Sequence, residues 1–158
     1  MKKIVRIADM AVGKAPEVIS TYGLGSCVAV ILYDPDKKQG GVLHFVLPER
    51  MRKNTENPLR YGEDGVRILI REMERMGSKK GNLRAKIVGG STMFASFIKN
   101  PEEAIGKRNV RKAREILEKE GIRIVAEDTG GDYGRSLDFY LNDGRVVVKS
   151  YARGEKVI

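Results

Sequence analysis

Two side chains in this 158-residue sequence invite a chemical reading, its single cysteine, Cys27, and its single histidine, His44. An imidazole can take the thiol proton, the sulfur can attack an electrophilic carbonyl, and the imidazolium can return a proton to the leaving group. Cys27 closes the run Thr21-Tyr22-Gly23-Leu24-Gly25-Ser26-Cys27, just where an apolar stretch begins. A nucleophilic thiolate needs backbone N–H donors close by, to lower its pKa and to hold an oxyanion. Gly23 and Gly25 permit the turns that gather such donors around Ser26 and Cys27. His44 sits within Val42-Leu43-His44-Phe45-Val46-Leu47, where an unpaired imidazole is costly. Taken singly, Cys27 reads as a small core residue and His44 as a satisfied core histidine. Taken together they match a thiol–imidazole hydrolase. A zinc site would have to recruit carboxylates at spacings the sequence does not offer, so no metal and no cofactor is expected.

The elements that must position this pair are mostly short and β-rich. Strands are expected over Lys3–Ile7, Glu17–Ser20, Cys27–Tyr33, Gly41–Leu47, Ala85–Val88, Ile122–Glu127, Leu137–Leu141 and Arg145–Tyr151. Cys27–Tyr33 and Gly41–Leu47 are apolar at nearly every position, so both of their faces should be covered. The short Asp34–Gly40 connection would make them neighbours, with Cys27 and His44 side by side. Val66, Leu69, Ile70, Met73 and Met76 fall at helical spacing, with Gly77 as a stop. Val110, Ala113, Ile116 and Leu117 mark a second helix, with Asn109 as its expected N-cap and Gly121 at its C-terminus. Asn142-Asp143-Gly144 reads as a hairpin turn. The expected fold is α/β: a single-domain layered sandwich over residues 1–158, with a mixed or antiparallel sheet core packed by two or more helices.

Composition narrows the function classes. Hydrophobic residues make up 41% and charged residues 32%, as in an ordinary globular domain. No apolar run approaches the roughly 20 residues of a membrane span, and Arg6 and Asp9 break any signal-like stretch. A single cysteine suits a reducing compartment, so the expected location is cytoplasmic, without membrane insertion. Thirty basic against 21 acidic residues give a net charge of +9, which could attract nucleic acid, an anionic membrane face or an acidic protein partner, and charge alone does not choose among the three. The basic residues are dispersed, which argues against nucleic acid. The polar connection Pro48–Gly62 carries Arg50, Arg52 and Arg60, and loops of that length are more often functional than idle. Val88-Gly89-Gly90-Ser91 and Asp128-Thr129-Gly130-Gly131-Asp132-Tyr133-Gly134-Arg135 lack the spacings of nucleotide loops and read as close-approach turns.

Five ordered blocks carry a resemblance: Gly23-Leu24-Gly25-Ser26-Cys27; His44 with Leu47-Pro48; Gly89-Gly90 with Met93-Phe94; Ile105-Gly106-Lys107-Arg108-Asn109; and Asp128-x-Gly130-Gly131-x-x-Gly134-Arg135. Together they resemble the chemoreceptor glutamine deamidase family, CheD, over nearly the whole chain. The sequence departs at Ser91, where that pattern expects a smaller residue such as Ala. The resemblance implies a cytoplasmic α/β enzyme that hydrolyses chemoreceptor glutamines to glutamate. It implies Cys27 as nucleophile, His44 as base and Thr21 as the polar third member; the glycine turn itself makes Gly23, Gly25 and Ser26 the expected oxyanion region. It further implies chemoreceptor cytoplasmic domains as substrate and the chemotaxis phosphatase CheC as regulator. Two other readings stay open from the residues alone: another Cys–His hydrolase, such as a peptidase, or a non-catalytic basic adaptor.

Overall fold

The computed structural model describes residues 1–51, 57–94 and 99–158. Among these residues ten strands and two α-helices follow in the order β1 (Lys2–Val5), β2 (Asp9–Lys14), β3 (Val18–Leu24), β4 (Val28–Asp34), β5 (Gln39–Phe45), α1 (Gly62–Arg75), β6 (Arg84–Gly89), α2 (Ile105–Lys119), β7 (Arg123–Thr129), β8 (Arg135–Tyr140), β9 (Val146–Ser150) and β10 (Gly154–Val157). They form two mixed five-stranded sheets, ordered β1-β3-β8-β9-β10 and β2-β5-β4-β6-β7. The expected α/β layered sandwich is therefore present, as outer sheet, central sheet and helices.

Every residue of β4 and of β5 is buried, as their unbroken apolar character requires. Alternation sends Val28, Val30, Leu32, Leu43 and Phe45 toward the helices, where Val66, Leu69, Ile70 and Met73 of α1 and Val110, Ala113, Ile116 and Leu117 of α2 meet them. The opposite face carries Ala29, Ile31 and Val42 against Ile19, Leu137, Phe139 and Val148 of the outer sheet. Gly77, Gly121 and Gly144 all adopt positive φ, closing the helices and the β8–β9 hairpin as expected.

Two strands escaped the sequence reading. β2 has little β character but completes the central sheet by pairing with β5, Asp9 opposite His44. β10 is exposed throughout and exists by pairing with β9. Helix α2 also begins earlier than expected. Ala104 is its N-cap, and Asn109 lies fully buried inside it.

Gly106, in the first turn of α2, lies against the carbonyl oxygens of Gly90 and Ser91, and a Cβ there would collide with both. In an open helix Gly→Ala stabilises by about 1 kcal/mol. Here neither backbone oxygen can retreat, so Gly106→Ala should instead destabilise by about 1–3 kcal/mol in urea denaturation.

Candidate active site

Thr21 and His44 meet across the two sheets. Thr21 lies on the inner face of β3 and His44 on the facing side of β5, both fully buried. Thr21 Oγ1 is 2.8 Å from His44 Nδ1 and donates its one proton to the Val5 carbonyl, 2.7 Å away on the adjacent parallel strand. With that proton committed, the hydroxyl can only accept from the ring, so Nδ1 carries the hydrogen and Nε2 holds a bare lone pair. Nε2 is buried and has no hydrogen-bond partner among the described residues. Burial away from compensating charge lowers the imidazole pKa to about 4, so the ring is neutral near pH 7.

Immediately after Thr21 the β3–β8 ladder slips by a bulge, and Gly23 takes φ +68° with open space where a Cβ would be. A bulge beside a site re-aims the chain, and here it starts the turn to Cys27. Three bonds hold that turn through its carbonyls. Ser91 N–H donates to Gly25 O at 2.8 Å, Asn109 Nδ2 to Ser26 O at 2.9 Å, and Gly90 N–H to Cys27 O at 2.9 Å. Gly25 N–H is turned back onto the Gly23 carbonyl, at 3.2 Å. The N–H groups of Ser26 and Cys27 have no acceptor among the described residues, and that of Cys27 lies against its own sulfur.

The β4–β5 register sets Ala29 opposite His44. Two residues back, Cys27 shares the inner face and packs, half-buried, at the edge of the inter-sheet cluster. Diagonal positions of this kind lie roughly 7–8 Å apart at Cα. The thiol does not hydrogen-bond Nε2. Burial pushes the thiol pKa up, and the nearby Arg60 guanidinium only partly draws it back. A lowered thiol pKa, which the sequence reading required, is not what this setting provides. Cysteine and histidine rest as a neutral pair.

Asn109 is not the helix cap that its place in the sequence suggests, and its contacts are with distant segments. Its side chain donates to Ser26 O and to Val46 O, both at 2.9 Å, tying the cysteine turn to the strand end beyond His44. A buried amide in a helix stripe otherwise occupied by Val110, Ala113 and Leu117 was the available signal. Ser91 is likewise well used. Its hydroxyl donates to Tyr133 O and accepts from the buried Arg135 guanidinium at 2.9 Å. Arg135 also bonds Gly130 O, Tyr133 Oη and Asp128, so it braces its own glycine loop. Of the three loop arginines, Arg50 pairs with Asp64 at 2.8 Å, Arg60 is exposed, and Arg52 falls outside the described residues. No three His, Cys, Asp or Glu side chains gather as a metal site among the described residues. No helix among them is long and apolar enough to cross a membrane.

The buried ring predicts a pH signature in stability. The unfolded chain takes up the His44 proton near pH 6.5, whereas the folded ring resists until about pH 4. The unfolded state thus binds more protons between those values, and stability falls as pH drops through that window. Urea denaturation at about pH 7.5 and about pH 4.5 should show the unmodified protein losing some 2–3 kcal/mol more than His44→Gln, carboxylate titration being common to both.

The chain as a whole is similar to known proteins. A family model described as CheD chemotactic sensory transduction matches residues 46–150. A probable chemoreceptor glutamine deamidase CheD of Caldanaerobacter subterraneus subsp. tengcongensis is 45% identical, over 99% of this chain and 98% of its own. One of the same name from Pyrococcus abyssi is 46% identical, over 97% of this chain and 94% of its own. Among solved structures, a Neisseria meningitidis protein aligns with a TM-score of 0.51 at 16% identity, over 82% of this chain and 64% of its own, a likeness of fold alone. Matched from end to end by such relatives, and by the family model over two thirds of its length, the chain belongs to the CheD family.

Proposed function

We propose that this protein is a cytoplasmic deamidase that converts chemoreceptor glutamines to glutamate, with Cys27 as nucleophile, His44 as base and Thr21 orienting the ring. The observation that carries this reading is the hydrogen-bonded line from Val5 O through Thr21 to His44 Nδ1. It fixes the tautomer and leaves a bare Nε2 on the same face as Cys27. The names of the relatives supply the substrate class. The family resemblance adds CheC as the regulatory partner.

Because the pair rests neutral, the thiol proton moves to Nε2 as the sulfur attacks the carboxamide carbon. Contacts of this kind tighten only when substrate is bound. The carbonyl oxygen takes the electron pair as an S–C bond forms, and the N–H groups of Ser26 and Cys27 are available to hold it. Imidazolium Nε2 then protonates the amide nitrogen, the C–N bond breaks, and ammonia leaves a glutamyl thioester. Water adds to the thioester carbon while giving a proton to Nε2. The S–C bond breaks, the thiolate recovers that proton, and glutamate is released. Thr21 stabilises the transient imidazolium through Nδ1–H, as a carboxylate or amide does in other triads.

The test is a chemoreceptor cytoplasmic domain incubated with the enzyme, with each glutamine followed by mass spectrometry. Cys27→Ala should abolish conversion while remaining folded. His44→Ala should lose most activity, and Thr21→Ser should retain more than Thr21→Ala. A folded Cys27→Ala variant that still deamidates would remove the nucleophile and leave an adaptor or another chemistry.

The thioester does not depend on what left the carbonyl, and methanol departs with less help than ammonia. Glutamyl methyl esters on the same receptors are therefore expected substrates of the same pair. Methanol release should occur with the unmodified enzyme and vanish with Cys27→Ala. Release that persists without the thiol would assign the esterase activity to another group.

A further inference from the structure

Arg60 ends a short 3-10 turn, Pro58–Arg60, stitched to the strand that bears His44. Its carbonyl accepts the N–H groups of Val46 at 2.9 Å and Leu47 at 3.1 Å, and Tyr61 bridges to Leu47. Val46 O is in turn held by Asn109, which also holds Ser26 O. A continuous line of hydrogen bonds thus places Arg60 on the edge where the cysteine turn and the histidine strand converge. The guanidinium is close enough for its charge to act on the Cys27 sulfur.

Among the described residues, Arg60 differs from its cationic neighbours in having no carboxylate partner. Nearby Arg50 pairs with Asp64, Arg108 with Glu49, and Lys112 with Glu49, Glu63 and Glu115. Arg60 is exposed and has no carboxylate partner among the described residues. A planar guanidinium exposed in this way is suited to a carboxylate. Neither glutamine, the substrate, nor ammonia, the leaving group, supplies one, and the product carboxylate forms only after the target has been chosen. A carboxylate that acts on selection therefore comes from the substrate surface beside the target side chain.

We propose that Arg60 is a specificity-determining residue that selects glutamines lying next to a carboxylate side chain on the folded substrate. This rests on the deamidase reading above and refines its substrate class. It also implies an order of events. Deamidation turns a neutral carboxamide into a carboxylate, so where two target glutamines are neighbours the first conversion makes the second a better substrate.

The test compares two forms of one chemoreceptor cytoplasmic domain, with the acidic residue nearest a deamidated glutamine either intact or replaced by Ala. Mass spectrometry gives kcat/KM for that glutamine in each form. The unmodified enzyme should prefer the acidic form by roughly three- to tenfold, mainly through KM, and added salt should compress the preference. Arg60→Gln should bring the ratio toward one. Arg60→Glu should invert it and should favour a third form carrying Lys at that position. A ratio of one with the unmodified enzyme, or a preference that survives Arg60→Gln, overturns the inference while leaving deamidation intact. Absence of deamidation on both forms by the unmodified enzyme overturns the activity itself, and the inference with it.

Discussion

A single imidazole is shut between two β-sheets with one nitrogen satisfied and the other bare, and much of the surrounding structure follows from that constraint. A buried polar ring without partners is unfavourable by a few kcal/mol, so at least one nitrogen must be bonded. Thr21 provides that bond from the opposite sheet, and can do so as an acceptor only because Val5 takes its proton. The parallel pairing of β1 with β3 therefore does more than extend a sheet. It sets which ring nitrogen is free.

The cysteine is held by a different means. Its turn has few side chains of its own, and its carbonyls are bound by Gly90, Ser91 and Asn109. Close approach is what makes this possible. A Cβ on Gly89 would strike Cys27 O, and one on Gly90 would strike Val110 and the Gly106 carbonyl. The double glycine and the glycine of α2 thus form one contact, in which the helix, the β6 end and the cysteine turn press backbone to backbone. Arg135 holds the next loop against the same place through Ser91, which is why a hydroxyl is well accommodated there.

The electrostatics favour a site that stays neutral until substrate arrives. Burial disfavours both thiolate and imidazolium. In the mechanism proposed above, the sulfur keeps its proton until a carbonyl is in place to accept the negative charge. In the proposed mechanism the developing charges are met by groups already fixed, the Thr21 hydroxyl and two turn amides, so little rearrangement accompanies the reaction.

The sequence carries the layered α/β architecture in β4 and β5, since strands without a polar face must be covered on both sides. It offers one thiol and one imidazole, Cys27 and His44, and makes their strands neighbours, because a short connection between β4 and β5 leaves few alternatives. The edge strands β2 and β10 were invisible because partners, not their own residues, make them strands. That Asn109 is a buried tie, that Thr21 accepts from the ring, and that burial raises the thiol pKa all arise from long-range packing. Those properties depend on which groups from distant segments share a buried space, and on how much water is excluded from it. Neither quantity is carried by any local stretch of the chain.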